Sequence, residues 1–151
     1  MHLTQYSDYA LRILLYLGVN QPSPEGRLPA LLDISNAYGI SFNHLSKVAN
    51  QLSQLGFVIA QRGRTGGLRL ARPPEQICLG DVVRATEPNF RIVECFEPET
   101  NQCCITAACH LMGALNEAKD AFLSTLDRYT LADVLTNKSE LVQIWNRKNP
   151  R

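Results

Sequence analysis

The sequence predicts a mainly α fold with a small β-hairpin: a winged helix-turn-helix domain followed by a long dimerisation helix. Three observations carry this reading. Two short apolar-periodic segments flank the turn Tyr38-Gly39-Ile40, the pattern of a helix-turn-helix. Two short strand-like runs, Phe57–Ala60 and Leu68–Leu70, enclose a tip rich in glycine and arginine. A single apolar stripe then runs through Leu111, Leu115, Ala118, Phe122 and Leu126 at helical spacing.

With 151 residues, 45% of them hydrophobic and 19% charged, the composition is that of an ordinary soluble globular protein with one good core. No apolar run reaches the roughly 18 residues of a membrane-spanning helix. The start M-H-L-T-Q-Y-S-D lacks the basic region of a signal peptide, so the expected location is cytoplasmic, where thiols stay reduced. The net charge of +1 is unevenly spread: residues 1–72 carry +4 and residues 73–151 carry −3. No acid falls between Asp33 and Glu75, while Lys47, Arg62, Arg64, Arg69 and Arg72 all do. Such a basic stripe suits phosphate binding, or else forms a solvated face whose acids lie elsewhere.

In chain order, residues 4–19 place Tyr6, Ala10, Ile13, Leu14 and Leu17 on one helix face, with Thr4 as cap and Asp8 near the start, where a carboxylate suits the helix dipole. Gln21–Arg27 is a loop by composition. A second helix is expected from Pro29 to Ala37, burying Leu31, Leu32 and Ile34, with Gly39 free to take a positive φ in the turn that follows. Ser41 is placed to cap a third helix that buries Leu45, Val48, Leu52 and Leu55 and stops at Gly56. Its outward residues Ser41, Asn43, His44, Lys47 and Asn50 can bond to base edges or phosphates, although a histidine such as His44 is more often an ordinary surface residue.

The tip Q-R-G-R-T-G-G brings Arg62, Arg64 and Thr65 to the end of the hairpin, where glycines allow close approach and guanidinium groups supply phosphate or minor-groove contacts. Leu79–Ala85 reads as a short helix packing back on the first domain, with Cys78 before it as a buried, inert thiol. Thr106 is the expected cap of the long helix. Thr130–Asp133 reads as a capping box, and a final helix runs through Trp145.

Four of the five cysteines fall between Cys95 and Cys109. The spacings Cys95-x7-Cys103 and Cys103-x5-Cys109 lack the tight pairs on which structural zinc sites are built. They suit the wider bite of an iron–sulfur cluster better, without matching ferredoxin spacings. On chemistry alone a cluster, a structural zinc using His110 or His44 as fourth ligand, and free structural thiols all stay open.

The segments L-T-Q-Y-S-D-Y-A-L-R (Leu3–Arg12), R-G-R-T-G-G-L-R-L (Arg62–Leu70), L-G-D-V-V-R-A-T-E (Leu79–Glu87), C-C-I-T-A-A-C (Cys103–Cys109) and Y-T-L-A-D-V-L (Tyr129–Leu135) resemble the BadM/Rrf-type bacterial winged-helix regulators over essentially the whole chain. Within that family the chain is most similar to the nitric-oxide-sensing repressors. The resemblance implies a homodimer that binds a double-stranded DNA operator through residues 1–74 and uses residues 75–151 for a cluster-binding loop and dimerisation helices. It implies a cluster of the 4Fe–4S type held by Cys95, Cys103 and Cys109, with Cys104 a bystander and the fourth ligand a first-helix carboxylate of the other subunit, a position occupied here by Asp8. Nitrosylation of the cluster would end operator binding. Relatives that respond to cluster supply use a histidine three residues after the last cysteine; that position is Met112 here, and His110 is displaced from it.

A cluster-supply or redox regulator of the same family, and a winged-helix protein with a structural zinc, are the alternatives. An enzyme is not expected, since neither a phosphate-binding loop nor a paired-carboxylate constellation is evident and no positioned base accompanies a cysteine nucleophile.

Overall fold

The structure, a computed structural model, describes residues 2–21, 27–63 and 66–148. Helix α1 (Gln5–Val19) starts where the Thr4 side chain accepts the Ser7 backbone N–H. Its face of Ala10, Ile13, Leu14 and Leu17 lies at the centre of the core. Helix α2 (Leu31–Tyr38) follows, and the Ala30 N–H donates to the Asp33 carboxylate at 2.8 Å, satisfying a donor that would otherwise be orphaned. Gly39, at φ 69°, then turns the chain into α3 (Phe42–Gln54), as the helix-turn-helix reading requires.

Two expectations about these helices are corrected. Leu32 is 55% exposed, because Ile34 and Ala37 define the buried face and two residues back from Ile34 is the opposite side of a helix. Leu55 is 39% exposed: it ends α3, and Gly56 at φ 74° turns the chain away before its side chain can reach the core. Leu45, Val48 and Leu52 are buried as expected.

The wing is an antiparallel pair, β1 (Val58–Gln61) with β2 (Gly67–Leu70), in the register Val58↔Leu70 and Ala60↔Leu68. Val58, Leu68 and Leu70 turn inward. The Leu68 N–H donates to the Pro29 carbonyl at 2.8 Å, so the wing is anchored to the segment that leads into α2.

Helix α4 (Leu79–Thr86) packs against α1 through Val82. At its end the Thr86 hydroxyl lies 2.9 Å from that of Ser7, while the Thr4 N–H and hydroxyl both donate to the Glu87 carboxylate, at 2.8 and 3.0 Å. The first turn of α1 is thereby fastened to the point where the cysteine loop departs. Cys78 is half-buried rather than enclosed, because it pairs with Thr130 in an isolated β-bridge beside Asp127.

Helix α5 (His110–Leu126) begins at Cys109, not at Thr106. The Thr106 hydroxyl is engaged elsewhere, donating to the Cys103 carbonyl at 2.8 Å. Only Leu123 of α5 is buried, and Leu111 stands 66% exposed. The expected Thr130–Asp133 capping box forms only in half: the Thr130 backbone N–H and hydroxyl both donate to the Asp133 carboxylate at 2.7 Å, and the short 3-10 turn that follows (Ala132–Val134) has no side-chain cap. Helix α6 (Lys138–Lys148) returns to α1 and α2. Ile77, Val82, Leu131 and Leu135 share the core with α1 and α3. Among the described residues no helix is long and apolar enough to cross a membrane.

Candidate DNA-reading face and cysteine loop

Burying Leu45, Val48 and Leu52 forces the other side of α3 outward. Ser41, Asn43, His44, Lys47 and Asn50 are all exposed there. Ser41 stands at the cap position, but its hydroxyl makes no capping bond to the helix and is free for another partner. Two tyrosines of α1 touch this face. The Tyr6 hydroxyl donates to the Lys47 carbonyl at 3.3 Å, and the Tyr9 ring stacks on His44 with centroids 6.5 Å apart and planes 23° from parallel.

On the wing Arg62 is exposed, while the expected contacts Arg64 and Thr65 lie outside the described residues. Arg72, part of the same basic stripe, is exposed, with its guanidinium 5.0 Å from the Phe57 ring centroid.

Asp8 sits in the first turn of α1, half-exposed, with both oxygens held by Arg12: Nε to Oδ1 at 2.9 Å and Nη2 to Oδ2 at 2.7 Å. The hydrogen bond that Arg12 donates to Asp8 raises the Arg12 pKa above its ordinary value. The same guanidinium lies 5.6 Å from the Tyr38 ring centroid, and burial raises the Tyr38 phenol well above its usual range. Arg12 thus links the candidate sensing carboxylate to the residue immediately before the helix-turn-helix glycine. Periodicity alone conceals this link, since Arg12 is merely a polar position on α1.

The cysteine loop has its own frame. Cys95 lies in a 3-10 turn (Glu94–Phe96), Cys103 and Cys104 are exposed, and Cys109 precedes the first turn of α5. The Gln102 N–H donates to Glu94 at 2.6 Å, the Cys103 N–H to Asn101 at 3.0 Å, and the Asn101 amide to Thr106 at 2.9 Å. All five cysteines are free thiols. Among the described residues no three His, Cys, Asp or Glu side chains converge within metal-binding reach, so within one chain Cys95, Cys103, Cys109 and Asp8 are not brought to one point.

The donor set nevertheless fits an iron–sulfur cluster in chemistry. Three unpaired thiols on one loop are the soft ligands iron and sulfide prefer, and Cys109 immediately precedes α5. Cys95 opens on a cavity of about 300 Å³ walled by Phe90, Phe96 and Met112. Met112, the position of the alternative histidine ligand, therefore faces the same space with a thioether.

The Rrf2 family profile, described as Iron-dependent Transcriptional regulator, matches residues 3–137. The HTH-type transcriptional regulator NsrR of Halalkalibacterium halodurans is 48% identical over 141 residues, covering 93% of this chain and 94% of that protein. The protein of the same name from Bacillus subtilis is 47% identical over 148 residues, covering 98% and 99%. Among solved structures, T. potens IscR superposes with a TM-score of 0.68 at 25% identity, covering 91% of this chain and 88% of that one. The global cysteine regulator CymR of B. subtilis gives 0.67 at 25% identity, covering 89% and 95%.

Proposed function

The chain belongs to the Rrf2 family of iron-dependent transcriptional regulators, and we propose that it is a homodimeric repressor that senses nitric oxide through an iron–sulfur cluster and then releases its DNA operator. The observation that supports this reading best is the likeness to NsrR, which runs through the winged helix and the cysteine loop alike, 47% over 98% of the chain. The protein acts as a cytoplasmic binding and sensing module rather than an enzyme.

Residues 1–74 form the DNA-reading part. Asn43 and His44 contact base edges in the major groove; Ser41, Lys47, Arg62, Arg64 and Thr65 supply phosphate and sugar contacts, with the wing tip at the minor groove. Residues 75–151 carry the sensor and the dimer contact. The half-exposed Leu115, Phe122 and Leu126 and the exposed Leu111 of α5 need a cover, and a second copy of the helix supplies it.

Cys95, Cys103 and Cys109 would hold the cluster, of the 4Fe–4S type, with Asp8 contributed from the second copy. When bound, it supplies iron for which nitric oxide is a strong ligand, most exchangeable where the harder carboxylate oxygen replaces a thiolate. Asp8 would take that role with its carboxylate already held by Arg12, so ligation would compete with or reshape that ion pair. Because the start of α1 is bonded to Glu87 and packs on α3, the state of Asp8 bears on the spacing of the two recognition helices.

The test is an anaerobic absorbance spectrum with iron and sulfide analysis, followed by operator binding before and after nitric oxide. Visible sulfide-to-iron absorbance that bleaches together with loss of binding is the expected result. A colourless protein carrying zinc and no iron would overturn the sensor reading and leave a winged-helix DNA binder with a structural loop.

A further inference from the structure

We propose that Tyr9 is a positioning residue for DNA recognition: its ring seats the His44 imidazole and so sets the direction in which α3 presents its base-reading group. The inference rests on α3 being the DNA-reading helix.

His44 is exposed on the outward face of α3, where an unsupported imidazole would sample several rotamers. A side chain that must bond to a base edge loses affinity in proportion to the rotamers it has to give up. The structure supplies one neighbour that restricts it. The Tyr9 ring lies 6.5 Å away, centroid to centroid, and 23° from parallel, within the range of offset aromatic pairs.

A second contact, one helical turn along on both helices, repeats the arrangement: the Tyr6 hydroxyl meets the Lys47 carbonyl. Tyr6 and Tyr9 thus form a two-point brace between the start of α1 and the middle of the reading helix. Between them lies an open cleft of about 240 Å³ lined by Gln5, Tyr6, Tyr9, His44, Lys47 and Val48. His44 opens on this cleft, and the Tyr9 ring is the aromatic neighbour it stacks on. Below the cleft, Ala10, Ile13, Leu45 and Val48 are buried between α1 and α3, with Tyr9 packed half-buried against their edge. Removing the Tyr9 ring should therefore free His44 while these buried residues keep the helix in place.

Asp8 is the adjacent residue. The seat of His44 and the candidate sensing carboxylate ride on the same turn of α1.

The experiment uses the full-length protein, purified anaerobically, and a duplex selected by the wild type from a random pool. Affinities are compared for Tyr9→Ala, Tyr9→Phe, His44→Ala and Tyr9→Ala/His44→Ala, with Tyr9→Leu standing in should the alanine variant fold poorly. Tyr9→Ala and His44→Ala should each weaken binding about tenfold, the scale of one base-contacting group. The double variant should lose no more than either single, while Tyr9→Phe stays within about twofold of wild type. Affinity for a random duplex and the salt slope should not change, which a general loss of structure would alter. In NMR spectra the His44 ring protons, shifted by the stacked tyrosine, should move to ordinary positions in Tyr9→Ala and stay put in Tyr9→Phe.

Wild-type affinity in Tyr9→Ala beside a weakened His44→Ala would overturn the positioning role and leave α3 as the reader. An inert His44→Ala would remove His44 from the DNA interface and the proposal with it. Additive losses in the double variant would show that Tyr9 acts by another route and would also overturn it.

Discussion

Trp145 on the last helix lies against Tyr16 on the first, with ring centroids 4.9 Å apart, and meets the ring of Tyr38 edge-on at 5.6 Å. One buried indole therefore ties α6 to both α1 and the end of α2, directly behind the helix-turn-helix glycine. Replacing a buried Trp by Ala typically costs about 3–5 kcal/mol, and Trp145→Ala should destabilise the protein on that scale in denaturant titration followed by circular dichroism. A loss below about 1 kcal/mol, the range of surface substitutions, would mean that α6 does not dock this way.

Gly67 allows the wing to lie against the segment before α2. A Cβ there would stand 2.5 Å from the Pro29 carbonyl and 2.8 Å from the Leu28 carbonyl, backbone neighbours that cannot rotate aside. Gly67→Ala should cost about 1–3 kcal/mol, as overpacking does, and weaken DNA binding by lifting the wing. Unchanged stability and affinity would mean that the anchoring bond from Leu68 to Pro29 does not hold the wing.

Asp133 accepts both the backbone N–H and the hydroxyl of Thr130, and these bonds hold its carboxyl below the usual carboxylate range. The folded pKa is depressed, so the stabilisation is fully present above the unfolded value of about 4 and is lost as pH falls through the folded one. Asp133→Ala should be less stable than wild type at neutral pH, with the gap closing below about pH 4. A gap that stays constant through that window would assign the loss to packing instead.

Cysteine substitutions should sort into two sets. Ser at Cys95, Cys103 or Cys109 should abolish the bound iron and sulfide measured anaerobically, while Cys78→Ser and Cys104→Ser should retain both. Asp8→Ala should keep the protein folded with a less stable or nitric-oxide-insensitive cluster. Full cluster content in all three of the first set would sink the ligand assignment.

Lys47 and Arg64 are proposed as phosphate contacts. Each alanine variant should weaken specific and random duplexes alike and lower the salt slope by about 1, read from affinities at several salt concentrations. An unchanged slope for Arg64→Ala would remove the wing tip from the interface.

Much of this protein was legible before any coordinates. The faces of α1 and α3, the turn at Gly39, the stop at Gly56, the hairpin and the contact between Thr130 and Asp133 all follow from residues within a turn or two of one another. Leu55 is exposed because an apolar residue at a helix end satisfies the period whether or not the backbone continues, and Leu32 because its apolar type outweighs, in the reading, its place opposite Ile34. Thr106 looked like a cap because its type suits one, yet the loop had a nearer use for its hydroxyl.

The sequence by itself determined the element order, the unevenly spread charge and the spacing of three cysteines around one loop. These are local properties, set by dihedral preference, side-chain period and residue chemistry. Only the tertiary structure decided that Arg12 lies over Tyr38, that Tyr9 meets His44, and that Trp145 closes over Tyr16. Those pairings depend on the crossing of helices and on which rotamers close packing leaves open. Every helix turn carries several side chains of suitable type, and the hydrophobic period records which face is buried without saying which residue will lie opposite.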